Sequence, residues 1–370
     1  MRILLVIGTR PEAIKMAPVY HALKKHDSCT VALCNTGQHR ELSKDSLRFF
    51  EIEPDFDLDI MKPNQNLNGL LSTVISRMHE VMEEFRPTHI MVQGDTSTVL
   101  GSAMAAFQNK VKVVHLEAGL RSGDMQSPFP EEMNRVLTSR ISTIHLAPTP
   151  RAVSNLIQEG IENGVHMVGN TVIDALLWAK KRIEKEPEVL SDLVKKLSVE
   201  LPLKSALLIT THRRENFGEP LREILAAIEK FAIQFGQVPI LFPVHPNPNV
   251  KEAVHAALGQ LSNVHLLPPL DYPDLVMIMS ECFAVVTDSG GIQEEAPTFG
   301  KPVLVLRENT ERPEGVEQKN ALLVGSNADL ILSELTSVYT NEEYYKSFSI
   351  NPNPYGDGTS AEQIARILIG

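Results

Sequence analysis

Short aliphatic and β-branched runs alternate along the chain with longer stretches whose apolar positions recur at helical spacing. Runs at 3–7, 30–34, 89–92, 111–115 and 143–146 form one series, and runs at 206–210, 239–242, 264–267, 284–286 and 302–306 a second. Each run is almost continuously apolar, as expected of a strand covered on both faces. The alternation therefore predicts an α/β fold built from βαβ units, with two doubly wound domains. Between the two series, 178–187 and 192–200 are rich in charge and are expected to form solvated helices, which puts the boundary within 169–204. The chain closes on a turn-rich stretch, Asn351-Pro-Asn-Pro-Tyr-Gly-Asp-Gly358. A short helix follows, with Thr359 or Ser360 as its cap and Glu362 in its first turn.

Composition narrows the function classes. With 370 residues, 43% of them hydrophobic, the chain has enough apolar material for two ordinary cores. A net formal charge of -11 excludes a broadly basic nucleic-acid coat, although one pocket can still carry the opposite sign. Cys29, Cys34 and Cys282 are an odd set without C-x-x-C spacing, which argues against a disulfide framework or a thiolate zinc site and for a reducing compartment. No apolar run approaches the roughly 18 residues that cross a bilayer. A cytoplasmic protein without a signal peptide, and with neither membrane nor nucleic-acid partners, is the expectation.

In parallel sheets, ligands bind beyond the carboxyl ends of the strands, so the residues following each run carry the candidate chemistry. The first run leads into Gly8-Thr-Arg-Pro-Glu-Ala-Ile-Lys15, the third into Gly94-Asp-Thr96 and the fourth into Glu117-Ala-Gly119. In the second series, His212-Arg-Arg-Glu-Asn216 and His245-Pro246 follow their runs. Carboxylates thus collect in the first half, and His and Arg in the second. The single glycine after the first run disfavours a dinucleotide clamp. It leaves a tight turn whose helix N–H groups, with Arg10 and Lys15, could meet an anion; an ordinary turn with exposed cations explains the spacing as well.

Asp288-Ser-Gly-Gly291 is the sharper anion site, since paired glycines let backbone amides approach a phosphate, with a plain Asp or Ser cap as the alternative. Glu295, one turn further, suits sugar hydroxyls or simply the helix dipole. Asp95 and Glu117 end neighbouring buried strands, where desolvation raises a carboxyl toward neutrality and suits proton transfer. Glu131 follows Pro130, placed near the first helical position, and dipole preference alone accounts for it. His212 with Arg213 and Arg214 reads as a cluster facing a diphosphate or as a structural salt-bridge cluster. His115-Leu-Glu117 lacks the P-C-x-x-C partner of a zinc deaminase, and no other His spacing suggests a metal. His21, His26 and His166 read as surface or capping residues.

Together the motifs resemble one family. Gly8-Thr-Arg-Pro-Glu-Ala-Ile-Lys-Met-Ala-Pro18, Gln93-Gly-Asp-Thr96, His115-Leu-Glu-Ala-Gly-Leu-Arg121 and Ser127-Pro-Phe-Pro-Glu-Glu-Met-Asn-Arg135 lie in the first half. Gly169-Asn-Thr-Val-Ile-Asp-Ala-Leu176, His212-Arg-Arg-Glu-Asn-Phe-Gly218, Asp288-Ser-Gly-Gly-Ile-Gln-Glu-Glu-Ala-Pro297 and Thr310-Glu-Arg-Pro-Glu314 continue the series. In this order they resemble the non-hydrolysing UDP-N-acetylglucosamine 2-epimerases.

The resemblance implies a glycosyltransferase-B-like fold with two Rossmann-like domains facing a central cleft. The expected division is 1–172, 173–352 and a final segment, 353–370, packing back on the first domain. It implies a homodimer that interconverts UDP-N-acetylglucosamine and UDP-N-acetylmannosamine without cofactor or metal, for cell-surface polysaccharide. By the same resemblance Asp95, Glu117 and Glu131 are the catalytic acids. Arg10, Lys15, His212 and Ser289-Gly290-Gly291 face the diphosphate, with His212 also counted in the catalytic set. Glu295 holds the ribose, and Arg135 and Arg312 line the substrate pocket. Gln38, His39, Gln65, Arg213 and His245 match a second, activating UDP-N-acetylglucosamine site of some bacterial members. Asn64 stands where such members tend to have Arg, and Leu270 and Leu275 where relatives often carry Gln and Phe near the base. Competing readings are a hydrolysing epimerase, a sugar transferase, an epimerase of a UDP-diacetamido sugar and a silent nucleotide-sugar binder.

Overall fold

The apolar runs assemble into two parallel sheets. The computed structural model describes the chain except for His39, Pro63 and Asn64 and the side chains of Arg40, Glu41 and Arg214. It divides into one unit of Met1–Trp178 with Tyr355–Gly370 and a second of Ala179–Pro354. The first contains β1 (Arg2–Ile7), β2 (Thr30–Asn35), β3 (Phe56–Asp57), β4 (His89–Gln93), β5 (Lys112–Leu116), β6 (Ile144–Ala147) and β7 (Val165–Met167). The second contains β8 (Leu207–Thr210), β9 (Ile240–Pro243), β10 (Val264–Leu267), β11 (Ala284–Thr287), β12 (Val303–Val305) and β13 (Ala321–Leu323). The sheet orders are β3-β2-β1-β4-β5-β6-β7 and β10-β9-β8-β11-β12-β13, both Rossmann-like. This is the expected α/β class, the two-unit arrangement of glycosyltransferase-B-like folds.

Three strands escape the hydrophobic pattern. β3, β7 and β13 are two or three residues long and lie at sheet edges, too short to show a period and not enclosed on both faces. The inner strands behave as predicted: Ile3, Leu4, Leu5, Val6 and Ile7 are all buried, as are Leu207, Leu208 and Ile209.

Two expectations need correction. Helices Thr171–Lys185 and Asp192–Glu200 are not merely solvated. Val172, Ile173, Leu176, Ala179 and Ile183 are buried along the first, and Val194 and Leu197 along the second. Their charges mask apolar stripes at three- and four-residue spacing. Trp178 packs 4.9 Å from the Phe50 ring and stacks on His21 at 5.9 Å. His21 is thus no plain surface residue, and its Nε2 lies 2.7 Å from the Phe50 carbonyl. The expected boundary at 172 falls near the start of helix Thr171–Lys185, and the units part inside that helix.

The last helix, Ser360–Ile369, belongs to the first unit and packs on helix Arg10–Lys24, where Lys25 and Glu362 pair at 2.5 Å. Thr359 precedes it without a capping side-chain bond. The cap comes from Asp174, whose Oδ1 accepts from the Ala361 N–H at 2.8 Å, a partner 187 residues away that local sequence could not disclose. Among the described residues no helix is long and apolar enough to cross a membrane. All three cysteines are free, and burial pushes the Cys34 and Cys282 thiols up to about 12.

Candidate active site

The strand order reverses at equivalent places in the two parallel sheets, between β1 and β4 and between β8 and β11. Loops leaving neighbouring carboxyl ends diverge at such a switch point and open a crevice. In the first unit the turns there carry Gly8–Arg10 and Gly94–Thr96, with Glu117 directly after the neighbouring β5. In the second they carry Thr211–Arg213 and Asp288–Ser289.

Asp95 has a side chain 28% exposed and meets Arg135 Nη2 at 2.5 Å. Burial raises its carboxyl; Arg135 opposes this, and the charges of Glu117 and Glu131 add to it. Glu131 is half-buried at the start of helix Glu131–Ile141, with Pro130 as the residue before the helix rather than inside its first turn. Glu117 stands at φ 65°, a left-handed conformation costing about 1–2 kcal/mol for a residue with a Cβ. Lys15 Nζ meets its Oε1 at 2.6 Å, Asn170 Nδ2 reaches the same oxygen at 3.2 Å, and Gln93 Nε2 donates to Oε2.

Two of the expected site cations lie against carboxylates of the same unit. Lys15 is buried against Glu117, and Arg135 also faces Glu132, at 3.4 Å. In the turn before helix Arg10–Lys24, Glu12 Oε2 accepts from Gly8 N–H at 2.5 Å and from Thr9 N–H at 2.9 Å. Its Oε1 accepts from Thr96 Oγ1 at 2.6 Å, joining this turn to the residue after Asp95. Burial pushes the Glu12 carboxyl up to about 7 despite these bonds. Arg10 opens the helix, half-buried.

The second unit is built on the fully buried Asp288. Its carboxylate accepts from Thr211 Oγ1 at 2.9 Å, from the backbone N–H groups of His212 and Arg213 at 3.0 Å, and from Asn216 Nδ2 at 2.9 Å. Burial alone would raise it, but these donors and the His212 ring, 2.9 Å away, hold it at about 2. His212 is tethered on one side while its side chain remains 47% exposed.

Arg213 instead sits among Glu215 and Glu311, at 3.8 and 3.5 Å, so for this residue the salt-bridge alternative describes the geometry. Helix Gly290–Glu295 follows Ser289. A Cβ on Gly290 would lie 2.7 Å from the Arg312 guanidinium, which would have to move aside, while Gly291 is unconfined. Arg312 Nε donates to Glu294 at 2.6 Å, and Tyr272 OH donates to Glu295 at 3.1 Å.

Of the expected second site, Gln38 Oε1 accepts from Thr98 Oγ1 at 3.0 Å and Gln65 Oε1 from the Lys62 N–H at 3.3 Å. His245 Nδ1 accepts from the Asn247 N–H at 3.2 Å. His39 and Asn64 lie outside the described residues. Leu270 is buried and Leu275 half-buried.

Residues 21–369 match the family model described as UDP-N-acetylglucosamine 2-epimerase. The chain belongs to that family. A Yersinia pestis protein of that name is 44% identical over 369 residues, covering 100% of this chain and 98% of the relative. The crystal structure of the Neisseria meningitidis UDP-GlcNAc 2-epimerase bound to UDP-GlcNAc superposes with a TM-score of 0.90 at 43% identity, covering all of both chains. A Methanocaldococcus jannaschii enzyme in complex with UDP-GlcNAc and UDP gives 0.82 at 33%, over 100% of this chain and 99% of that one.

In this epimerase-family chain several site residues carry no role that the sequence alone assigns. Glu12 was legible in principle, because Thr9-Arg-Pro-Glu12 is a capping-box pattern. Gln93 and Asn170 stand inside conspicuous motifs, but only the fold brings them to Glu117. Tyr272 and Glu132 gave no signal beyond ordinary first-turn positions.

Proposed function

We propose that the chain interconverts UDP-N-acetylglucosamine and UDP-N-acetylmannosamine by elimination and re-addition of UDP. The observation that carries this reading is the group of carboxyls at the first unit's switch point, with Asp95 raised by burial. The proton on carbon 2 is not adjacent to a carbonyl and is poorly acidic, so it leaves with the nucleotide. A carboxylate takes that proton, its bonding pair forms the carbon 1–carbon 2 double bond, and the carbon 1–oxygen pair departs with UDP. The product is 2-acetamidoglucal. Re-addition of the UDP oxygen to carbon 1, with proton delivery to the other face of carbon 2, completes inversion. Two faces call for proton-transfer groups on both sides, the role we assign to Asp95, Glu117 and Glu131.

In the first unit Arg10, Lys15 and Arg135 supply the cations around these acids. In the second, His212 and the Ser289–Gly291 turn stabilise the departing diphosphate, Glu295 holds the ribose hydroxyls and Arg312 shapes the pocket. Gln38, His39, Gln65, Arg213 and His245 form the activating site. The enzyme works as a cytoplasmic homodimer supplying precursors of cell-surface polysaccharide.

Proton NMR in deuterated water, with UDP-N-acetylglucosamine and no added cofactor, tests the reaction. UDP-N-acetylmannosamine carrying deuterium at carbon 2 is the expected product. Free N-acetylmannosamine would indicate hydrolysis instead, and an unchanged substrate would overturn the proposal.

A further inference from the structure

The motif Gly169–Leu176 takes no part in the chemistry above, yet its second residue reaches the middle of it. Asn170 is buried and immediately precedes helix Thr171–Lys185. Its backbone N–H donates to the Tyr355 carbonyl at 2.7 Å, and its Oδ1 accepts from the Val172 N–H at 3.0 Å. Since Oδ1 must face that donor, the orientation of the amide is settled, and Nδ2 points at Glu117 Oε1, 3.2 Å away. An Asx turn alone would use only Oδ1; the bond to Glu117 is additional.

The anchorage on the other side is equally specific. Tyr355 is the first residue of the segment that rejoins the first unit. Gly169, at φ +83°, comes so close to this segment that a Cβ would lie 2.7 Å from Ser360 Oγ. Asp174, four residues beyond Asn170, caps helix Ser360–Ile369 through the Ala361 N–H. The returning segment therefore grips the chain before, at and after Asn170.

We propose that Asn170 is a positioning residue for Glu117, held in register by the C-terminal segment Tyr355–Gly370. Lys15 supplies the countercharge to Glu117 Oε1, and Asn170 fixes the direction in which that carboxylate points. The inference rests on the proton-transfer role proposed for Glu117.

The test uses the full chain with Asn170→Asp and Asn170→Ser. Both keep an oxygen able to accept from the Val172 N–H, so the turn survives. Aspartate places a second carboxylate against Glu117, and serine is too short to reach it. Turnover is expected to fall about thirtyfold in Asn170→Asp and about tenfold in Asn170→Ser, with KM within about threefold. The limb of the pH–rate profile that Glu117→Gln abolishes is expected to move to higher pH in both, because a donor to the carboxylate has gone. Wild-type turnover and an unmoved profile in Asn170→Asp would overturn the proposal. So would normal rates in Asn170→Ser, or lost activity with a lowered melting temperature and an unshifted profile. A carboxyl-carbon NMR titration of Glu117 in wild type and Asn170→Ser probes the same contact without turnover. An unchanged titration rejects the positioning role, whereas a shifted one upholds it even if UDP-N-acetylglucosamine proves not to be the substrate.

Discussion

Asp95 and Asp288 occupy matching places in the two units, each just beyond the strand that adjoins its unit's first strand, yet their carboxyls are driven in opposite directions. Burial pushes both carboxyls up, so burial alone does not separate them. The difference lies in what surrounds the oxygens. Asp288 receives donors from Thr211, His212, Arg213 and Asn216 and stays ionised, a fixed anion that organises the turn bearing His212. At Asp95 burial, joined by the neighbouring charges of Glu117 and Glu131, outweighs the one guanidinium of Arg135. One topology thus yields a carboxyl raised above its ordinary value and another held ionised within a turn, and the donors around the oxygens decide which.

The most severe way to break this contrast is to neutralise the first unit's acids. Asp95→Asn, Glu117→Gln and Glu131→Gln are each expected to reduce turnover at least a hundredfold, about 3 kcal/mol of barrier, while UDP still binds. Rapid-mixing assays with calorimetric UDP titration would check this, and near-normal turnover in any variant would remove that residue from the proton-transfer set.

Glu12 sharpens the contrast within the first unit. Its carboxyl is raised from 4.5 to about 7, so between those values the folded state holds a proton that the unfolded state has released. Stability is therefore fullest below about pH 4.5 and declines as pH rises through 7, by about 3 kcal/mol. In urea melts across pH 4.5–8, Glu12→Gln is expected to flatten this slope. An unchanged slope would mean that Glu12 ionises normally.

Asp288 carries the opposite sign. Its folded value of about 2 lies below the ordinary value of 3.8, so the stabilisation is present above about pH 4 and lost as pH falls toward 2. The loss is about 2 kcal/mol. Asp288→Asn should remove this dependence below about pH 4 and leave the Glu12 slope between about pH 4.5 and 7 in place. If both slopes persist in that variant, the pairing with His212 and its neighbours does not hold the carboxylate down.

These contrasts also mark what the sequence could and could not disclose. The central strands were legible because burial on both faces writes itself as an unbroken apolar run, whereas the edge strands β3, β7 and β13 are too short to do so. Asp95, Glu117, His212 and Asp288 were legible because a parallel sheet presents chemistry just after its strands. Their partners were not, because Lys15 lies 102 residues from Glu117 and Asn170 lies 53. The stripe beneath the charges of helix Thr171–Lys185 was hidden for a different reason, since composition averages over faces that the helix separates.

The smallest effect is expected where the binding role proposed for the second unit depends on a neutral donor. Tyr272 OH donates to Glu295 Oε1 at 3.1 Å in a buried setting, and the ring is itself buried. Tyr272→Phe keeps the ring's packing and removes that donor, so the carboxylate loses one hydrogen bond and some orientation but no charge partner. A bond of this kind contributes about 1 kcal/mol, which corresponds to roughly fivefold weaker UDP binding by calorimetry. Turnover at saturating substrate should hardly change, because the proton-transfer set in the first unit is untouched. A fall in turnover as large as that of the acid variants would contradict this division of labour and show that Glu295 acts on the reacting sugar rather than on the nucleotide.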